Sequence, residues 1–259
     1  MLSASSLPEL DQTFHLLYNY DFERCIAKAD SYTRAYPEDP MGHSARAAAF
    51  LFREMHRLKL LGKEFMTSDD RIKSKERQTP RESARREFHA SADRARELAL
   101  ARLQKAPTDA HALLAMTIVA GLERDNAALV EKRLRASLDF AKESQQYARR
   151  LIAADPEAYD AYFTFGFSEY LVGSLPFFAR WFMKLDGVQG DKRKGLEELE
   201  TAADKGRFLK PFARMMLAMF YTREKRPNDT RRHLEALAAE YPGNPAVKAE
   251  LARMEQSGQ

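Results

Sequence analysis

The sequence predicts an all-α chain of about five helix hairpins, and three observations carry that reading. Ala, Leu, Arg, Glu and Lys dominate, while Gly and Pro number 11 each in 259 residues, a composition that favours helix. Apolar residues recur at steps of three and four, and no alternating run bounded by turn residues persists as a strand would require. One spacing also repeats. Counting back twelve, eight and five residues from Pro37 gives Cys25, Ala29 and Tyr32; from Pro107, Ala95, Ala99 and Arg102; from Pro156, Ser144, Ala148 and Leu151; from Pro242, Thr230, Leu234 and Leu237. A fifth copy, Gly195, Leu199 and Ala202, has Arg207 where the proline would stand. The first member is always small and the second apolar, as stacked helical units require.

The first hairpin spans about 7–37. Leu7, Leu10, Phe14 and Leu17 form one stripe, and Phe22, Ile26, Ala29, Tyr32 and Tyr36 the next, with a break at 19–21. Pro37 and Pro40 then end helical hydrogen bonding. The second hairpin, about 40–106, has Ala45, Ala48, Phe52 and Met55 on one helix and Phe88, Ala92, Ala95 and Ala99 on the other. Between them lies a polar insertion, 62–80. From Arg71 to Arg86, seven bases (Arg71, Lys73, Lys75, Arg77, Arg81, Arg85, Arg86) face Glu76 and Glu82. This reads as a solvated loop and helix start. The sharper reading, contact with an acidic partner or a phosphate backbone, lacks the interleaved aromatics that stacking on bases needs.

The third hairpin, about 108–154, pairs His111, Leu114, Ala115, Ile118 and Leu122 with Val130, Leu134, Leu138, Ala141, Ala148 and Ile152. The second set is expected as one long helix with that stripe inward. The fourth, about 157–206, opens with Tyr159, Tyr162, Phe163, Phe165, Phe167 and Tyr170 on several faces, which implies burial on both sides. Gly166 and Gly173 allow close backbone approach. Pro176 starts a short extra helix near 176–185, apolar on two sides, and Gly187 and Gly190 turn the chain onward. A fifth hairpin, about 208–242, and a terminal capping helix, 244–256, complete a single domain.

Residues 211–244 resemble one 34-residue tetratricopeptide repeat. Leu217, Ala218 and Tyr221 stand at its first-helix positions, Thr230 and Leu234 at its second-helix positions, and Pro242 at the closing turn. The run Val172 to Pro176, followed by Gly190-Asp191-Lys192 and Gly195-Leu196, is similar to a segment of poorly characterised bacterial tetratricopeptide proteins, many of them exported. It also faintly resembles a eukaryotic tetratricopeptide group linked to the mitochondrial outer membrane and inclusion-body clearance. The resemblance implies a right-handed α-α superhelix whose stacked first helices line a concave groove for peptides or helices of other proteins. By helix phase, Arg46, Arg53, His111, Tyr162, Glu169, Arg214 and Arg223 are expected to face that groove, with Trp181 on the extra helix.

No catalytic pattern stands out. The six histidines show no HExxH spacing, no GxSxG elbow exists, and neither Asp69-Asp70 nor Glu197-Glu198 forms a facing pair on a helix. His15, His111 and His233 read as hydrogen-bonded structural side chains. GVQGDKRKG lacks the spacing and the Lys-Ser/Thr ending of a phosphate loop. Asp191 reads as an N-cap, and Glu197 and Glu198 offset Arg193 and Lys194 one turn on; an acidic ligand there is the lesser reading. The lone Cys25 excludes an internal disulfide and is expected as a small buried side chain.

With 42 bases against 38 acids the surface is nearly balanced, which gives little help to nucleic acid or an anionic membrane. No apolar run reaches the ~20 residues of a membrane span, and the first residues carry no signal peptide. The expected protein is therefore cytoplasmic as written, or periplasmic or exported if a leader has been removed. It is expected to be a non-catalytic scaffold for a protein or peptide, with no cofactor, no metal, no nucleic acid and membrane contact disfavoured. Two alternatives are an extracytoplasmic accessory protein holding a small molecule or lipid near Trp181, and an enzyme using unrecognised residues.

Overall fold

The computed structural model describes residues 7–61, 79–175, 188–256 and 258. Among the described residues there are eleven α-helices and no strand: α1 (Leu7–Tyr18), α2 (Phe22–Ala35), α3 (Pro40–Arg57), α4 (Glu82–Lys105), α5 (Ala110–Asp125), α6 (Leu134–Ala154), α7 (Ala161–Gly173), α8 (Lys192–Lys205), α9 (Lys210–Arg223), α10 (Pro227–Glu240) and α11 (Pro245–Gln256). A π-helical turn, Asn126–Val130, follows α5. Most of the 62–80 insertion and the whole 176–185 helix expected from the sequence lie outside the described residues.

Three helices begin by one device. Two residues after Pro37, Pro107 and Pro242 stand Asp39, Asp109 and Asn244. Their side chains accept the amides of Met41 (2.9 Å), Ala112 (3.0 Å) and Ala246 (3.0 Å). Their own amides close the turn on Tyr36, Ala106 and Tyr241. Proline stops one helix, and the polar side chain satisfies free amides at the start of the next.

The recurring spacing finds its cause in the packing. Each even-numbered helix packs against both of its sequence neighbours. Cys25, Ala95, Ser144 and Thr230 are each no more than 2% exposed, and Gly195 is buried too. Four of these five touch the backbone of the preceding helix of their own hairpin. The Cys25 thiol donates to the Thr13 carbonyl, the Ser144 hydroxyl to Thr117, and the Thr230 hydroxyl to Ala218. In the fourth hairpin the two backbones come closer still: a Cβ on Gly195 would lie 2.6 Å from the Tyr170 amide and 2.8 Å from the Gly166 carbonyl oxygen. Gly173 and Gly190 make a second close approach, 2.6 Å from an added Cβ to the Gly190 carbonyl oxygen. Within α7 no residue from Ala161 to Tyr170 is exposed, so the aromatic helix is enclosed on all sides.

The third hairpin departs from expectation. Val130 is buried in the π turn, but Leu134 is 70% exposed and Leu138 36%. The stripe α6 buries runs instead through Ser137, Ala141, Ser144, Ala148 and Leu151. A π turn accommodates an extra residue, and Lys132 at φ 57° swings the chain, so α6 starts in a new phase.

The inner faces of the odd-numbered helices meet. The Phe212 ring of α9 lies 5.4 Å from Phe52 of α3 and 5.0 Å from Phe163 of α7. The cavity bounded by α1, α3, α5, α7 and α9 has a volume of about 30 Å³, room for one or two waters. The space expected to form an open groove is therefore largely filled by the chain's own core.

The two ends of the chain also meet. The Tyr18 hydroxyl donates to the Phe208 carbonyl (2.8 Å), and Asn244 Nδ2 to the Tyr18 carbonyl (2.8 Å). The Gly243 amide donates to Asn19 Oδ1 (2.8 Å), and Arg207 pairs with both oxygens of Asp11 at 2.8 and 2.7 Å. Phe14 packs against Phe208. Asp160, almost fully buried, holds the docking loop by accepting the amides of Arg207 (2.9 Å), Phe208 (3.3 Å) and Leu209 (2.9 Å). A proline at 207 could not donate that first bond, which explains why the fifth copy of the spacing lacks one.

Gly195→Ala separates two opposing effects. Helix propensity alone would stabilise by about 1 kcal/mol, whereas overpacking against backbone that cannot yield costs about 1–3 kcal/mol. We expect a net loss of up to about 2 kcal/mol in urea denaturation; a gain would show that the α7 and α8 backbones do not touch.

Candidate functional site

A large cavity lies where α1 meets the 207–211 and 240–241 segments. It is an open cleft of about 880 Å³. Its floor is Phe14, Leu16 and Tyr18 of α1 with Phe208 and Pro211. One wall is the outward face of α2, where Arg24, Ala27, Lys28 and Ser31 fall on one side of the helix. The other wall is Glu240 and Tyr241, with Asp11, Gln12, His15 and Arg207 along the rim.

Helix order explains why the cleft is there. α3 packs between α2 and α4, α5 between α4 and α6, α7 between α6 and α8, and α9 between α8 and α10. α1 packs against one even-numbered helix, α2, and the cleft lies over α1 between α2 and residues 240–241. The Asp11–Arg207 and Tyr18–Phe208 contacts join α1 to the far end through side chains and a loop. The volume is close to that of two helical turns, ~10 Å wide and ~11 Å long.

The polar groups around the cleft are partly engaged. Tyr241 donates to Glu240 (2.9 Å) and lies 5.1 Å, ring to ring, from His15, which bonds Asn19 (3.0 Å). Burial holds the Tyr18 and Tyr241 hydroxyls far above the ordinary tyrosine range. Arg24 pairs with Asp21 of its own helix (3.0 Å). The cleft thus offers aromatic and aliphatic surface with charges at its edges, the composition that accommodates a partner side chain.

The residues expected from helix phase to face the groove do not come together. Arg46 pairs with Asp30 of α2 (2.6 Å) and Glu87 of α4 (2.9 Å), and Arg53 with Glu23 of α2 (2.7 Å). Their guanidinium groups lie 4.7 and 4.9 Å from the centre of the Phe50 ring. His111 bonds the buried Asp39 (2.7 Å). Tyr162 packs, half-buried, beside Tyr159 and Phe165. Arg214 donates to the Ala203 carbonyl (3.2 Å) and pairs with Glu240 (3.6 Å). Arg223 is exposed on α9. Trp181 lies outside the described residues.

Glu169 answers the phosphate-loop question. Only 2% exposed, it accepts the amides of Gln189, Gly190 and Asp191 at 2.8–3.3 Å and an ion pair from Lys194 at 3.0 Å. The amides that could cradle a ligand anion are taken by the chain's own carboxylate, whose ionised form those bonds favour. Asp191 caps α8 as expected, accepting from the Lys194 amide (3.1 Å). Elsewhere, Glu200 is held down at about 2 by His233, Tyr221 and Arg232 despite its burial. Cys25 is buried, its thiol pushed up to about 12 by desolvation.

The cleft itself was hidden from sequence reasoning. The signal that existed was Arg207 in place of proline, which marks the loop on which α1 docks. Among the described residues, no three His, Cys, Asp or Glu side chains group as metal ligands. The chain matches no protein-family model and no curated protein.

Glu198 also departs from expectation. It is not an ordinary surface charge: its Oε2 is buried without a hydrogen-bond partner. Desolvation, with Glu169 and Glu197 nearby, pushes it up to about 7 against the pull of Lys194. Between about 4.5 and 7 the folded chain therefore keeps a proton that the unfolded chain has released, and stability falls as pH rises through that window. Glu198→Gln should stabilise the protein by about 1–2 kcal/mol at pH 8, the Lys194 pair (3.8 Å) offsetting part of the desolvation gain. The difference should shrink toward zero below pH 4.5 in denaturant titrations; a pH-independent difference would sink this assignment.

Proposed function

We propose that the chain is a non-catalytic scaffold, a right-handed superhelix of five tetratricopeptide-like hairpins with its ends drawn together. It binds a protein partner by accepting one of the partner's helices in the cleft over α1. The observation that supports this most directly is the flank of α1. Each other odd-numbered helix from α3 to α9 packs between two even-numbered helices, whereas α1 has one, α2, and underlies a cleft sized for two helical turns between α2 and residues 240–241. A partner helix there would extend the chain's own packing pattern, resting apolar residues on half-buried Leu16 and on the edges of the largely buried Phe208 and Tyr241 rings. Arg24 and Lys28 on one wall and Glu240 on the other fix its orientation through charge.

A photo-crosslinking residue placed at Gln12 on the rim should capture the partner, while one at Lys105, at the far end of α4, should not. Ala27→Trp fills the cleft from the exposed face of α2 and should abolish the Gln12 crosslink without lowering thermal stability. Equal crosslinking from both positions, or crosslinking that survives Ala27→Trp, would overturn the reading.

A further inference from the structure

We propose that a second surface, at the start of α6, docks the protein onto an anionic lipid bilayer. Leu134 and Leu138 stand one turn apart on the same side of α6, 70% and 36% exposed. Leu138 is followed three residues later by Ala141, which packs against Val172 of α7 and Val188 in a small cluster separate from the main core. Two of the four large hydrophobic residues that stand exposed among the described residues thus share one side of α6. Single exposed leucines need no explanation, but a pair on one side of a helix does.

The pair is bordered by bases. Residues 132–142 hold Lys132, Arg133, Arg135 and Lys142, all exposed, against one acid, Asp139. Glu131, on which His89 (2.9 Å), Arg133 (3.1 Å) and Arg85 (3.6 Å) converge, offsets one of these bases, so four bases against two acids leave residues 131–142 a net +2. Arg85 and Arg86 of α4 and Arg81 just before it add further bases, against Glu82, which lies 3.6 Å from Arg85. That border opposes self-association, since a second copy would set base against base. It complements a surface bearing negative charge.

Between a bilayer and an acidic protein, shape favours the bilayer. Leu134 is the first residue of its helix and stands 70% exposed, and neither leucine lines the cleft over α1 or the central cavity. A protein partner needs a pocket matched to such a projection, whereas lipid headgroups part around it. Leucines supply the inserted apolar area and the bases attract anionic headgroups, two weak signals that act together. No described helix is long and apolar enough to cross a membrane, so the contact is peripheral.

Sedimentation with vesicles tests the assignment. The full chain should bind vesicles of 40% phosphatidylglycerol in phosphatidylcholine (~40 mol% suffices to set the surface potential) and leave pure phosphatidylcholine vesicles unbound. Leu134→Ser with Leu138→Ser should weaken binding about tenfold, and Arg133→Glu with Arg135→Glu at least as much. Unchanged thermal melting would show both variants folded. No binding to the anionic vesicles overturns the proposal. So does binding indifferent to the leucine pair, which would reflect net charge alone, or retention of an acidic protein in place of vesicles. Ala27→Trp should leave vesicle binding intact, so the fate of this surface is separable from that of the cleft.

Discussion

Close approach of two helix backbones at one small side chain organises this protein. The second helix of each hairpin carries Cys25, Ala95, Ser144, Gly195 or Thr230 at the same step, and all five are buried. A residue larger by one or two carbons would hold the rods apart and withdraw the apolar residues a turn further on from their partners. Those residues, Ala29, Ala99, Ala148, Leu199 and Leu234, are no more than 2% exposed. Packing at this density gives the hairpin its rigidity, and rigidity lets one hairpin serve as the template for the next.

Polar groups inside this framework stitch hairpin to hairpin. Asp39 caps α3 and is also bonded by His111 of the next hairpin. Asp160 gathers three amides of the 207–209 loop, which then receives Tyr18 and Arg207's partner Asp11 from the other end of the chain. Glu169 supplies the negative charge that the start of α8 attracts. In each case a buried carboxylate is tolerated because backbone or side-chain donors surround it. Glu198 is the counterexample: with one oxygen left unpaired, it holds on to its proton up to near neutrality.

The proposed functions follow from where this internal pattern stops. Along α1 the alternation of helices ends, and a cleft remains. At the start of α6 the π turn resets the phase, and leucines that would have been core are left outside among bases. Both surfaces are places where the chain's own packing rule is left incomplete, which is what an external partner can complete.

The sequence by itself determined the all-α class, the helix stops ahead of Pro37, Pro107 and Pro242, the small residues at the contacts, the N-cap at Asp191 and the close approaches at Gly166 and Gly173. These are local quantities: period, helix stops and side-chain size can be read within a window of some fifteen residues. Only the tertiary structure decided that the inner faces fill the axis, that Tyr18 and Asn19 meet residues 208 and 243–244, and that Glu169 and Arg46 serve internal contacts. Those outcomes depend on contacts between residues as far as 226 apart in the chain, and on a helical phase shifted by a single π turn. Periodicity records which side of a helix is apolar; it does not record which neighbour arrives to cover it.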